Sequence, residues 1–192
     1  MPRLFTALEV PAEVAFDLSL VRGGLPGARW LDAANFHLTL RFYGDIDDRT
    51  ANEVDDHLAR IDRAPVEVAI DGLDVFGGDR PRSIFARVQP IPALVELQAE
   101  VERAARRAGL PPEAHRFTPH ITLARLRGVP SRAVAQWLGL RGGGPSLRFI
   151  ADRIVMFSSR ASTGGGPYIP EVTYPLDGVE DRFVQMRAAG GR

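Results

Sequence analysis

The sequence predicts an α+β fold built from two similar halves, and three observations carry that prediction. One tetrapeptide pattern is written twice, His37-Leu38-Thr39-Leu40 and, 83 residues later, His120-Ile121-Thr122-Leu123. Each copy alternates polar and apolar residues, the period of a half-buried β-strand, so His and Thr share one face of each strand. Strand and helix signals recur around both copies, and no Pro-rich, Ser-rich or charged linker separates the halves. A single bilobal domain over residues 1–187, with residues 188–192 as a disordered tail, is the expected organisation.

The elements follow from local signals. Residues 3–10 read as a strand, and Pro11 opens a helix that runs to about Val21, where Gly23-Gly24 stops it. A short strand around Arg29-Trp30-Leu31 leads to the first motif strand over residues 36–43, closed by Gly44-Asp45. Asp48 caps a helix whose Val54, Leu58 and Ile61 recur at helical spacing. Strands at residues 66–70 and 83–88 flank the turn from Gly77 to Pro81.

Pro92 opens the strongest helix, with Leu94, Leu97, Val101 and Ala105 on one face and Gly109 at its end. The second motif strand begins after Pro119, and Pro130-Ser131 starts a short helix through Trp137-Leu138. One strand is expected over residues 147–157, a glycine loop at Gly164-Gly165-Gly166-Pro167, and a last strand from Val172 to Leu176.

Composition narrows the function. The chain has 24 basic residues, every one an arginine, against 24 acidic ones, so no net field exists to wrap a long nucleic acid. If RNA is a substrate at all, an end or a small fragment fits this charge balance better than a long strand. With no cysteine, disulfides and thiolate zinc sites are excluded. No run of about 18 apolar residues and no apolar signal-peptide core is present, so a cytoplasmic protein with no membrane partner is the default expectation; a monomer is expected as well. The glycine runs match neither the P-loop nor the dinucleotide fingerprint.

The motif face has its own chemistry. Imidazole, with an unperturbed pKa of about 6.5, gives or takes a proton near neutrality. A hydroxyl two residues on projects beside it, roughly 6.5 to 7 Å further along the strand. Two such pairs facing each other would surround a phosphate, with His37, His120, Thr39 and Thr122 as the candidate catalytic set. His57 and His115 lack the companion threonine and read as surface residues.

These residues resemble the 2H phosphoesterases, and within them the RNA 2′,3′-cyclic phosphodiesterase branch, also called 2′-5′ RNA ligase-like. The resemblance spans nearly the whole chain. It is carried by Arg3-Leu4-Phe5, by Trp30 followed by Asn35-Phe36-His37-Leu38-Thr39-Leu40 and Phe42-Tyr43-Gly44, by Arg116 to Arg125 around the second motif, and by Ser158-Ser159 with Tyr168. It implies a bilobal fold with both histidines across a central cleft, and cofactor-free, metal-free hydrolysis of a ribose 2′,3′-cyclic phosphate to a 2′-phosphomonoester. Related alternatives are 2′-5′ RNA ligation or cleavage and a non-catalytic RNA-end binding module.

Tyr168 either closes the cleft or packs the glycine loop, and the resemblance also marks two residues for substrate, Phe42 as a base-packing residue and Arg125 as a substrate-contacting one. Strict alternation disagrees, because both lie five residues past their histidines and would face away. Either a bulge re-aims them, or Arg41, on the histidine face by parity, takes the substrate role. For the proton transfers the expectation is His37 as acid and His120 as base.

Overall fold

The structure, a computed structural model, describes residues 3–159 and 167–178; the expected loop at 164–166 and tail at 188–192 lie outside the described residues. The elements are β1 (Arg3–Glu9), α1 (Ala12–Ser19), β2 (Ala28–Trp30), a 3₁₀ turn (Ala33–Asn35), β3 (His37–Asp45), α2 (Asp48–Leu58), β4 (Val66–Phe76), β5 (Ser83–Val88) and α3 (Pro92–Arg107). After these come β6 (His120–Leu126), α4 (Ser131–Gly139), β7 (Ser146–Ala151), β8 (Arg153–Ser159) and β9 (Tyr168–Pro175). The class is α+β, as the alternating patterns predict.

Strand pairing shows how two halves become two lobes. The order is β7-β4-β5-β6-β3-β1-β8-β9, with β2 also on β6, and the register of every pair is antiparallel. Outward from the β6/β3 seam, β5, β4 and β7 on one side correspond to β1, β8 and β9 on the other. Along that seam the two motif strands share a single register pair, Leu38 with Ile121. They diverge beyond it, which opens the cleft.

Core packing explains the alternation in the motifs. Leu38, Leu40, Ile121 and Leu123 are all buried, at 3% exposure or less, in the one large cluster that includes Val54, Leu58, Leu94, Leu97 and Val101 of α2 and α3. Burying a side chain of this size is worth about 1.5–3 kcal/mol. The opposite face of each motif strand is thereby committed to the cleft. A smaller cluster of Phe5, Ala7, Val155 and Phe157, with Tyr168 against it, lies apart from the main core.

Several local expectations need correction. Residues 147–157 are two strands, because β7 pairs with β4 while β8 pairs with β1, so the chain crosses between lobes at Asp152. The strand expected at 66–70 runs on to Phe76, with a register shift between Ile70 and Leu73. At Gly72, with φ +84°, a Cβ would lie 2.3 Å from the Gly143 carbonyl oxygen, so the bend needs glycine. The cap of α2 is Asp47, whose Oδ1 accepts from the Thr50 N–H at 2.7 Å, and not Asp48. Among the described residues no helix is long and apolar enough to cross a membrane.

Candidate active site

Both histidines are held by the same local device. His37 Nδ1 lies 2.8 Å from the Asn35 carbonyl oxygen, and His120 Nδ1 lies 2.7 Å from the Thr118 carbonyl oxygen. A carbonyl only accepts, so Nδ1 carries the proton and donates it, which leaves Nε2 of each neutral ring as the acceptor. Counting one residue either way from the Leu38–Ile121 pair sets His37 across from Thr122 and His120 across from Thr39. The repeat therefore forms two crossed His/Thr pairs.

Aromatic rings fix each imidazole further. Around His37 stand Phe5 at 4.9 Å between ring centroids, Tyr168 at 4.9 Å and Phe157 at 6.2 Å. On the other lobe Phe76 and Phe85 stack at 4.0 Å, and both meet His120 edgewise, at 4.8 and 5.4 Å. Sequence reading missed these supports, apart from Tyr168. The signal was available, because Phe5 and Phe85 lie on the strands next to β3 and β6, where alternation can be counted.

Burial lowers both imidazole pKa values. His37 is pushed down to about 4, first by loss of solvation, with the nearby charges of His120 and Arg125 acting in the same direction and the Asn35 carbonyl opposing them. His120 is lowered too, again first by burial, with Arg125 adding to it and the Thr118 carbonyl opposing. Arg125 thus acts on both rings.

The parity conflict is resolved by a bulge in each motif strand. Along β3 the partners on β1 step from Thr6–Arg41 to Ala7–Thr39, skipping Leu40; along β6 the partners on β5 step from Ile84–Ala124 to Phe85–Thr122, skipping Leu123. Two consecutive residues then point inward, Leu40-Arg41 and Leu123-Ala124, and the next returns to the histidine face. Phe42 follows on β3, 57% exposed and 5.5 Å from the Phe5 ring. Arg125 follows on β6, also exposed.

Arg41 must be removed from the substrate-contacting candidates. The bulge turns it to the buried side, where it is 7% exposed. Its Nη1 donates to Glu113 Oε2 and its Nη2 to the Pro111 carbonyl oxygen at 2.7 Å, while Nε forms an ion pair with Glu102 Oε2 at 2.9 Å. Its work is to tie β3 to α3 and to the segment leading into β6. Trp30 packs on Trp137 at 5.4 Å, on the helix side of its strand. Among the described residues no group of three or more His, Asp and Glu side chains is placed to hold a metal ion.

Comparison with known proteins adds to this geometry. A family model described as the 2′-5′ RNA ligase superfamily matches residues 25–163. An RNA 2′,3′-cyclic phosphodiesterase of Aeropyrum pernix is 36% identical over 113 residues, 58% of this chain and 64% of that protein. A protein of the same name from Thermotoga maritima is 29% identical over 176 residues, 86% of this chain and 91% of its own. In fold, the chain resembles E. coli LigT complexed with 3′-AMP, with a TM-score of 0.73 at 22% identity over 92% of this chain and 99% of LigT. A Thermus thermophilus protein matches with a TM-score of 0.76 at 22% identity, over 93% of this chain and all of that one.

Proposed function

The chain belongs to the 2′-5′ RNA ligase superfamily, and from that premise we propose that it hydrolyses RNA 2′,3′-cyclic phosphate ends to 2′-phosphomonoesters by metal-independent acid–base catalysis. One observation carries the proposal: two imidazoles on facing strands, each with Nδ1 committed to a carbonyl, present two Nε2 atoms to one cleft. Relatives named RNA 2′,3′-cyclic phosphodiesterase support the substrate class.

In the reaction, water attacks phosphorus in line with the bond to the ribose 3′ oxygen. A neutral Nε2 takes the water proton as the new P–O bond forms. The P–O3′ bond breaks, and the protonated Nε2 opposite delivers its proton to the departing oxygen, leaving a 2′-phosphate and a free 3′ hydroxyl. Thr39 and Thr122 hydroxyls donate to the non-bridging oxygens, where charge accumulates in the transition state. Phe42 offers its exposed ring to the terminal base, Arg125 its charge to the phosphate, and Tyr168 closes the wall beside His37.

Burial distinguishes the two histidines. His37, held down to about 4, is the one that stays neutral, whereas His120 is the less constrained ring. We therefore assign His37 as base and His120 as acid, the reverse of the sequence-based expectation. The dependence of rate on the leaving group tests the assignment. With a substrate whose leaving oxygen is replaced by a much better leaving group, His120→Ala should regain most of its lost rate and His37→Ala should not; the opposite pattern reverses the roles.

A further inference from the structure

Phe76 and Phe85 belong to neither apolar cluster of the fold. Phe85 is nevertheless buried, at 4% exposure, and Phe76 is half-buried, so two large rings are packed away outside the core. Both meet His120. The imidazole lies beside the stacked pair, nearer Phe76 at 4.8 Å than Phe85 at 5.4 Å, and its plane is turned 83° from that of Phe76.

The other lobe is built differently at the matching place. Phe157 is the counterpart of Phe76, each on the third strand out from the seam, one opposite Phe5 and the other opposite Ser83. Phe5 and Ser83 correspond in turn, since they stand across from Phe42 and Arg125. Phe5 and Phe157 stack on each other inside the smaller core cluster, so the wall of His37 is part of a core. Ser83 has no ring to offer, and Phe76 stacks on Phe85 at 4.0 Å instead.

The chain anchors Phe76 firmly for a residue outside the core. It ends β4, and its carbonyl oxygen accepts from the Arg82 N–H at 2.7 Å across the following turn. Gly77 comes next with φ +112°, where a Cβ would collide with the Arg80 carbonyl oxygen, so the turn needs glycine.

Charged groups approach His120 from four strands. Arg125 follows it on β6, and His37 faces it from β3. Arg87 lies directly opposite on β5, exposed, with its Nε donating to the Asp71 carbonyl oxygen at 2.8 Å. Asp74 of β4 stands across from Phe85, its Oδ1 accepting from the Val75 N–H at 2.8 Å. Burial still dominates: it is the largest cause of the lowered His120 pKa, ahead of the opposing Thr118 carbonyl and the added effect of Arg125. Rings that keep water from an imidazole penalise its charged form.

We propose that Phe76 is a positioning residue for His120, a wall that holds the plane of the imidazole and keeps water off the side turned away from the β6/β3 seam. This rests on the cyclic phosphodiesterase reading and deepens it: Phe76 acts through His120, and sets the pH range over which that ring can serve as acid.

The test compares Phe76→Ala and Phe76→Leu with the wild type by thermal denaturation, by NMR titration of the His120 ring, assigned with His120→Ala, and by the pH profile of kcat/KM on a 2′,3′-cyclic nucleotide. Both variants should stay folded, because Phe76 lies outside the core clusters. In Phe76→Ala water reaches the imidazole, so its pKa rises toward the ordinary 6.5 and the alkaline limb, which requires the protonated ring, moves to higher pH. The maximal rate should fall by up to about 100-fold, since the ring is no longer held in place. Phe76→Leu restores apolar cover without the flat ring, so it should keep the lowered pKa and the position of the limb while still losing rate. An unchanged His120 titration in Phe76→Ala overturns the proposal, whatever the rate does. A raised pKa without a moving alkaline limb, or without hydrolysis of the cyclic substrate by any form, supports the wall and overturns instead the reading of His120 as the acid of a cyclic phosphodiesterase.

Discussion

Leu38 of β3 faces Ile121 of β6 in the one register pair that joins the two motif strands. Both are fully buried, and each is flanked by its own motif's histidine and threonine on the opposite face. The register pair that joins the two motif strands thereby also sets His37 over Thr122 and His120 over Thr39. Enlarging or shrinking either residue should disturb catalysis through position, without touching substrate.

Replacing either His37 or His120 by alanine should lower turnover by about 10² to 10⁴-fold. Affinity for a 2′-phosphorylated product should change far less, because the threonines, Phe42 and Arg125 still hold it. Steady-state kinetics beside equilibrium binding checks this. Unchanged turnover in either variant refutes the acid–base assignment.

The pH dependence follows from the directions of the two shifts. His37 must be neutral to act as base, and its pKa of about 4 sets the acid limb of kcat/KM. His120 must be protonated to act as acid, and its pKa lies below its ordinary 6.5, which sets the alkaline limb. The free-enzyme profile is therefore a bell centred on the acid side of 6.5. Titration of both imidazoles by NMR should give His37 the lower value, and binding of inorganic phosphate should raise both, since an anion favours the charged form. An acid limb above 6.5 contradicts the burial argument.

Phe42 and Arg41 are adjacent in sequence and should behave as opposites. Phe42→Ala removes a ring that is 57% exposed, so stability should hardly move, while the loss of base stacking, about 1–3 kcal/mol, raises KM. Arg41→Ala strips the partner from half-buried Glu102 and from the more exposed Glu113. Loss of the buried guanidinium and its contacts should destabilise the fold, by less than the roughly 3–5 kcal/mol of a fully buried pair because both carboxylates keep some solvent, read as a fall in denaturation midpoint. Full stability of Arg41→Ala with a raised KM would return Arg41 to the substrate side.

Most of the fold was legible in the sequence because its signals are local. Alternation marked the motif strands, Pro92 and Gly109 bracketed α3, and Gly44 closed β3 near the expected place. The split at Asp152 was not legible, because no glycine or proline marks it and only distant partners, β4 for one strand and β1 for the other, separate them. Within the site, the His and Thr positions could be read from period two alone. The placement of Phe42, Arg125 and Arg41 could not, because a bulge is fixed by pairing with the neighbouring strand, and parity counting assumes that none exists.

The most direct measurement of the central claim is the product formed from an RNA ending in a 2′,3′-cyclic phosphate, incubated with the protein in EDTA and identified by phosphorus NMR. The account predicts a 2′-phosphomonoester at undiminished rate, and none with His37→Ala or His120→Ala on the same timescale. Activity restored only by a divalent metal ion, or a 3′-phosphate as product, would contradict it.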